Sequence, residues 1–187
     1  MVEIRGSFVN STIDNVKKRN GNQVYSDIIS QLDEQARQLF ENPISNDGWY
    51  AYESLLKFIE VDLKLTANGD ENELVIRTGA LVENQLNAVY KFLIKLGSHE
   101  SIIKRHKILH ESLFRGVSIK IVFDGPNKVM ITYTGFGKQH RLFQLSAIGM
   151  YRKVLEVSGA KDIHAKFLTS IEEGKGYCEL ELTWKEK

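Results

Sequence analysis

Three histidines lie along one predicted helix of this 187-residue chain, and they are the side chains best suited to hold a metal. The helix spans Ser98 to Phe114, and at about 100° per residue the rings of His99, His106 and His110 project within roughly 40° of one another. Neutral imidazole binds both zinc and haem iron, and the i, i+4 spacing of His106 and His110 would let two rings share a metal. Partly buried or interface histidines are the competing interpretation. The sequence has no His-Glu-x-x-His motif, and a third zinc ligand would have to come from elsewhere.

The single cysteine, Cys178, excludes an internal disulfide and any all-cysteine metal site. It alternates with Leu180, Leu182 and Trp184, a pattern that predicts a strand whose apolar side faces the core. A buried cysteine usually behaves as a small hydrophobic residue. We therefore expect Cys178 to contribute packing rather than reactivity.

Sequence motifs of catalysis and nucleotide binding are absent or incomplete. Gly135-Phe136-Gly137 has two glycines of a dinucleotide-binding loop, but His140 replaces the last one and the preceding strand belongs to a predicted hairpin. The sequence has neither a phosphate-binding Gly-x4-Gly-Lys-Ser/Thr loop nor a Gly-x-Ser-x-Gly elbow. Its carboxylates are scattered, so none can be paired as general acid and base. We expect a protein that is not an enzyme.

The composition is that of an ordinary globular protein, with 42% hydrophobic and 26% charged residues. A net charge of +1 lacks the basic excess that is typical of nucleic-acid-binding proteins. The short basic runs Lys17-Lys18-Arg19 and Lys104-Arg105-His106-Lys107 are typical of solvated helix faces. No apolar stretch approaches the ~20 residues that span a bilayer, and the N-terminus lacks the apolar run of a signal peptide. We expect a cytoplasmic protein that does not bind nucleic acid.

Hydrophobic periodicity predicts a single domain with a helical part, about residues 1–115, and a sheet part, about residues 116–187. Helical spacing of apolar residues continues to Phe40, with Asn20-Gly21 as a predicted stop within it. Further helices are predicted from Trp49 to Leu65, from Leu74 to Leu96 and from Ser98 to Phe114.

In the second part the period changes from that of a helix to that of a strand. Val117 to Phe123 and Val129 to Tyr133 flank the turn Asp124-Gly125-Pro126-Asn127, which predicts a hairpin. Leu142 to Val157 predicts a helix that covers the sheet. Two more alternating runs complete it, from Ile163 to Phe167 and from Cys178 to Trp184. The order β-β-α-β-β predicts an α+β fold with a four-stranded antiparallel sheet.

This order of elements, ending in Gly174-Lys175-Gly176-Tyr177-Cys178 and Trp184, resembles one superfamily. It contains haem–nitric-oxide-binding (H-NOX) domains, 4-vinyl-reductase-type sensor domains and transport-protein-particle (TRAPP) subunits. The opening Arg5-Gly6-Ser7-Phe8 and the Trp49-Tyr50 loop are similar to those of uncharacterised bacterial members. The resemblance implies an apolar cavity between helices and sheet, used for haem, a small aromatic, an acyl chain or a partner surface.

The resemblance also implies residues that would hold haem. In the family, a Tyr-x-Ser-x-Arg motif binds the haem carboxylates, and an axial histidine lies on a helix. This chain keeps Tyr133 but has Gly135 and Gly137 where the family has serine and arginine, so the charge-assisted bonds to those carboxylates are lost. We expect no cofactor, with haem held by His106 or His110 as the alternative.

Zinc and lipid sites of the family can be compared in the same way. The zinc motif Glu-x-x-Cys-x7-Cys would need ligands at Phe167 and Ser170, so that site is lost. Lipid attachment would need Cys178 to face the cavity as a reactive thiol, whereas its strand pattern predicts ordinary burial.

The resemblance therefore implies a non-enzymatic sensory or adaptor domain that binds a small apolar ligand or a protein partner. The alternative is a haem- or metal-dependent gas or redox sensor that uses the histidines of helix 98–114. Seven side chains are expected around the interface of the covering helix and the sheet: Val129, Ile131, Tyr133, Phe143, Ala147, Tyr151 and Val154. Proteins of this superfamily pair through their helices, so we also expect a homodimer formed by the helices between Trp49 and Leu96.

Overall fold

The computed structural model of this chain describes residues 1–85 and 97–186. Its contacts divide the chain into two compact units. The first contains Met1–Glu73 and Ser112–Gly116, and the second contains Leu74–Glu111 and Val117–Lys187. The predicted α+β class, with helices first and an antiparallel sheet after them, is confirmed. Assignment of the whole chain to a single domain stays a prediction.

The first unit contains a small sheet that the sequence did not predict. Strands β1 (Glu3–Arg5), β2 (Trp49–Ala51) and β3 (Phe114–Arg115) pair antiparallel in the order β2-β1-β3. The ring of Trp49 lies between two guanidinium groups, 4.1 Å from that of Arg5 and 4.0 Å from that of Arg115. The prediction that a helix begins at Trp49 is therefore wrong, because this residue makes cross-strand cation–π contacts instead.

Helix α1 (Gly6–Gln31) continues through the predicted stop, with a kink. Gly21 has φ 83° and ψ 171°, a conformation that glycine adopts without a steric penalty. On the same helix, the guanidinium of Arg19 donates two hydrogen bonds to the buried carboxylate of Asp62, at 2.9 and 2.7 Å. This charge-assisted pair joins α1 to helix α3 (Tyr52–Ala67) at the kink.

The predicted continuation of helix to Phe40 is divided by a new cap. Helix α2 (Glu34–Arg37) is separate from α1 because Asp33 Oδ1 accepts a hydrogen bond of 2.8 Å from the backbone N–H of Ala36. A side-chain acceptor at this position satisfies an N–H that has no partner within the helix, and so starts a new one.

Three helices contribute to the second unit: α4 (Asn72–Gln85), α5 (His99–Leu113) and α6 (Leu142–Val157). The helix predicted from Leu74 to Leu96 is observed as far as Gln85, and its remainder falls outside the described residues. The other two predictions are confirmed to within a residue at each end. Among helices of the described part of the chain, none combines the length and apolar character needed to cross a membrane.

The sheet of the second unit has the predicted β-β-α-β-β order. Strands β4 (Ser118–Phe123), β5 (Lys128–Thr134), β6 (Lys161–Thr169) and β7 (Tyr177–Lys185) are antiparallel, in the order β4-β5-β7-β6. Because side chains alternate between the faces of a strand, one face of the two central strands is almost wholly apolar and buried. Its members are Val129, Ile131, Tyr133, Cys178, Leu180, Leu182 and Trp184.

Candidate functional site

Four polar aromatic side chains meet in the interior of the second unit and form what we name the His–Tyr cluster. His106 and His110 come from α5, Tyr133 from the end of β5, and Tyr151 from the middle of α6. All four side chains are buried. Polar groups in such a position require partners, because burial without a hydrogen bond costs free energy.

A chain of hydrogen bonds crosses the cluster. The hydroxyl of Tyr133 donates to the hydroxyl oxygen of Tyr151 at 3.3 Å, and the Tyr151 hydroxyl lies 2.5 Å from Nδ1 of His106. Burial, with a smaller contribution from the neighbouring His110, lowers the pKa of His106 to about 3. The imidazole is therefore neutral near pH 7, and the tautomer of its ring decides which atom donates in the bond between Tyr151 and His106.

The two tyrosines stay protonated for the same physical reason. Burial raises the pKa of Tyr151 and that of Tyr133 well above the ordinary value for a phenol. Each hydroxyl therefore keeps its proton, and the Tyr133 hydroxyl donates its own to Tyr151. Such an arrangement orients three side chains from three different elements.

His110 lies one helical turn from His106, and aromatic rings surround it. Its ring centroid is 5.6 Å from that of Tyr133, 6.1 Å from that of Phe143 and 6.4 Å from that of Phe136. Burial lowers the pKa of His110 to about 4, so this imidazole is also neutral near pH 7. A neutral imidazole can bind a metal, and it can equally pack among aromatic rings as part of the core. The charge state of His110 is therefore compatible with both roles.

The rings beside His110 are tightly packed against one another. Phe136 and Phe143 stack with centroids 4.0 Å apart and an interplanar angle of 23°, and Tyr133 meets Phe143 edge-on at 4.9 Å. Phe136 reaches this position because Gly135, with φ 95°, turns the chain directly after β5. The ring of His140 lies beside Phe136, and its Nδ1 accepts a 2.9 Å hydrogen bond from the backbone N–H of Gly137.

The seven interface residues predicted from the sequence occupy the expected region, with one exception. Six are buried: Val129, Ile131, Tyr133, Phe143, Ala147 and Tyr151. Val154 is half-buried, and Leu155 takes the interior position on α6 instead. Their proposed role in binding a ligand stays a prediction. Sequence reasoning missed Phe136, because a phenylalanine between two glycines gives no periodic signal.

The histidine face is observed as predicted for two of its three members. His106 and His110 point inward, and His99 is half-buried with its ring centroid 5.6 Å from that of Trp184. Within residues 1–85 and 97–186, no group of three or more histidine, cysteine, aspartate or glutamate side chains is arranged to hold a metal ion. The predicted metal pair of His106 and His110 therefore lacks a third protein ligand of these types in that part of the chain.

Cys178 is fully buried at 0% exposure, and it lies opposite Tyr133 in the antiparallel pairing of β5 and β7. Burial raises the pKa of its thiol to about 12. The thiol is therefore protonated at neutral pH and poorly nucleophilic. The predicted core position of Cys178 is confirmed.

Comparisons with known proteins add the fold relationship. No protein-family model matches the chain, and no curated protein matches its sequence. Solved structures do match over nearly its full length. A Fe(II) unliganded H-NOX protein mutant from K. algicida has 11% identity and a TM-score of 0.71, with 98% of each chain covered. An H-NOX protein from S. oneidensis in the Fe(II)NO state has 16% identity and a TM-score of 0.64, covering 98% of this chain and all of the other.

This chain has the H-NOX fold. The H-NOX domain of S. oneidensis in the Fe(II)CO state gives the same result, with 16% identity, a TM-score of 0.68 and coverage of 98% and 100%. At these identities the fold is what the proteins share. The predicted likeness to 4-vinyl-reductase-type domains and to TRAPP subunits stays a prediction.

The side chains of this H-NOX fold do not fit a haem between α5 and the sheet. A haem is a rigid plane that needs a slot beside its axial histidine. The rings of Tyr133, Phe136 and Phe143 fill the space beside His110, and the Tyr151 hydroxyl occupies Nδ1 of His106.

Proposed function

We propose that this chain is a non-enzymatic sensory or adaptor domain that uses the H-NOX fold without haem. The observation that carries the proposal is the packing around His110, where stacked rings and the Tyr133–Tyr151–His106 hydrogen bonds take up the interior of the second unit. A protein whose interior is filled in this way responds most readily through its surface. The adaptor form, in which a protein partner binds, is therefore better supported than a preformed apolar pocket.

The fold neighbours favour a second candidate, the haem-dependent gas sensor. They are H-NOX proteins in the Fe(II) unliganded, Fe(II)NO and Fe(II)CO states, and by that analogy the haem alternative fits better than the haem-free form. His106 and His110 offer two neutral imidazoles for it. Haem binding would require the Phe136–Phe143 stack to separate, and that requirement distinguishes the two candidates.

Hemin titration of the purified chain tests both candidates. For the haem-free domain we expect weak, non-saturating changes in absorbance that do not differ between the wild type and His106→Ala or His110→Ala. His164→Ala is the matched control, since His164 is exposed on β6. A stoichiometric five- or six-coordinate spectrum that is lost in His106→Ala or His110→Ala, and kept in the control, would establish haem binding through that histidine and reject the haem-free form.

A further inference from the structure

Apart from the His–Tyr cluster, the second unit has a surface groove between α5 and β4. It holds about 410 Å³. Six residues line it: Lys104, Lys107, Ile119, Lys120, Ile121 and Phe123. One wall is therefore a helix with two lysines, and the other is a strand with mainly apolar side chains.

The strand wall is the edge of the sheet. Within the described residues β4 pairs with β5 alone. Successive side chains of a strand point to opposite faces, so a groove lined by Ile119, Lys120 and Ile121 in succession must follow the backbone edge and not one face. An edge presents a row of backbone N–H and C=O groups that can pair with another strand.

A groove with a helix on one side and an edge strand on the other is the geometry in which an extended peptide adds a strand to a sheet. From Ile119 to Phe123 the strand extends about 14 Å, at ~3.4 Å per residue. An added strand would form backbone hydrogen bonds with β4, and every second side chain would point towards α5. The two walls therefore provide both a backbone template and side-chain selectivity.

The charges along this groove are positive on both walls. Lys104 and Lys107 line the helix wall, and the exposed Lys120 lies on the strand. Lys104 pairs with Glu100 at 2.5 Å, and Lys107 lies 3.8 Å from Glu111. These are solvent-exposed i, i+4 pairs, which contribute little and exchange easily for another carboxylate.

The same charges disfavour a second copy of this chain as the occupant. Pairing two β4 edges would bring the Lys120 side chains of both copies into one joint sheet, and lysine on an edge strand opposes that kind of association. An acidic strand would gain the backbone pairing and remove the repulsion. Charge complementarity therefore selects an acidic partner.

We infer that the groove between α5 and β4 binds an extended acidic segment of a partner protein, which adds a strand beside β4. The inference rests on the adaptor form of the proposed function and specifies its class of partner. Acidic side chains of the segment point towards α5 and face Lys104 and Lys107, and the side chains between them lie on the opposite face of the sheet, beside Lys120. The partner therefore binds at the surface of the second unit and does not enter its core.

A labelled peptide of about eight residues, with glutamate and valine alternating, is a suitable probe for this edge. Fluorescence anisotropy against the full chain should show saturable binding that weakens as salt rises, because exposed charges are screened. The same peptide with lysine in place of glutamate should not bind. The glutamate peptide can be methylated on every second backbone nitrogen in two alternative patterns. Only one of the two patterns should abolish binding, because only one set of N–H groups faces β4.

Charge-reversal variants locate the site. Lys104→Glu and Lys107→Glu should each weaken peptide binding by about tenfold or more, as loss of steering and pairing charges on the helix wall predicts. Lys166→Glu is the matched control, because Lys166 is exposed on β6 at the far edge of the sheet. Thermal unfolding of all three should match that of the wild type, so that a change in affinity reports binding and not folding.

Several results would overturn the inference. Strand addition at β4 would be rejected if the lysine peptide bound as tightly as the glutamate peptide. It would also be rejected if Lys166→Glu weakened binding as much as the groove variants, or if neither methylation pattern changed the affinity. Self-association of the chain that the glutamate peptide displaces would assign the edge to a second copy. Hemin titration separates this inference from the proposed function. If neither the peptide nor hemin binds, only the peptide-binding groove is rejected. If hemin binds stoichiometrically, the haem-free function is rejected whether or not the peptide binds.

Discussion

Tyr151 and His106 lie 45 positions apart in the sequence and share a 2.5 Å hydrogen bond in the core of the second unit. Burial keeps both partners uncharged, with the imidazole neutral and the phenol protonated. The bond joins α6 to the inward face of α5. It therefore gives the histidine a structural role that is independent of any cofactor.

Tyr151→Phe should destabilise the second unit by about 1–3 kcal/mol. The substitution removes the acceptor of Tyr133 and the hydroxyl that bonds Nδ1 of His106, and it leaves two buried polar groups without that partner. Urea unfolding measures the effect. Tyr177→Phe, at an exposed position of β7, is the matched control. Its free energy of unfolding should stay within about 0.5 kcal/mol of that of the wild type. If both substitutions changed the stability equally, the buried hydrogen bonds of Tyr151 would contribute no more to stability than an exposed hydroxyl does.

Stability should fall as the pH is lowered from about 7.5 to 5.5. The unfolded chain protonates His106 and His110 near pH 6.5, whereas in the folded chain burial lowers their pKa values to about 3 and about 4. The unfolded state therefore binds more protons below pH 6.5, so the stabilisation is fully present above that pH and is lost progressively as the pH falls towards 4 and 3. Two such histidines predict a loss of about 2–3 kcal/mol between pH 7.5 and 5.5.

Urea unfolding at several pH values measures this loss. His106→Gln should reduce the slope of stability against pH by about half, since one of two titrating groups is removed. The exposed-site variant His164→Ala should leave the slope unchanged. Stability that does not vary between pH 7.5 and 5.5 would mean that the two imidazoles are not buried in solution as they are in this structure.

The sheet of the second unit could be predicted because its strands are long enough to show a period. Strand β7 alternates over nine residues, and α6 shows a helical stripe over sixteen. The small sheet of the first unit has strands of two or three residues, which are too short for any period to be read. The pattern therefore predicts a helix at Trp49, whereas the structure has this residue in β2, in contact with Arg5 and Arg115.

The sequence predicts which individual residues of the candidate site are buried, but not which of them contact one another. Helical spacing predicted the inward face of His106 and His110, and it placed Tyr151 and Phe143 at the interface. It could not predict that Tyr151 and His106 bond, because that pairing depends on how α5 and α6 pack and not on local sequence. The same limit applies to Phe136, whose position follows from the turn at Gly135.

Cys178→Ala should destabilise the chain by about 1 kcal/mol and leave peptide or ligand binding unchanged. The side chain is fully buried against the apolar face of the sheet, so its removal creates a small cavity and nothing else. In the native wild type, the thiol should also resist a disulfide reagent such as DTNB, because burial raises its pKa to about 12. Rapid labelling without denaturant, or lost binding at unchanged stability, would contradict this assignment.

The last prediction concerns self-association through the helices between Trp49 and Leu96. In this range Ile76 of α4 has 63% of its surface exposed, and a dimer would cover apolar surface of this kind. We expect sedimentation at roughly 50 µM to show a dimer, because a specific interface of about 1,600 Å² is normally stable at that concentration. Ile76→Glu should shift the chain to monomer by placing a charge in the interface. Ile108→Glu, on the exposed side of α5, is the control and should leave the dimer intact. A wild-type monomer, or equal dissociation by both variants, would remove this interface from the helices between Trp49 and Leu96.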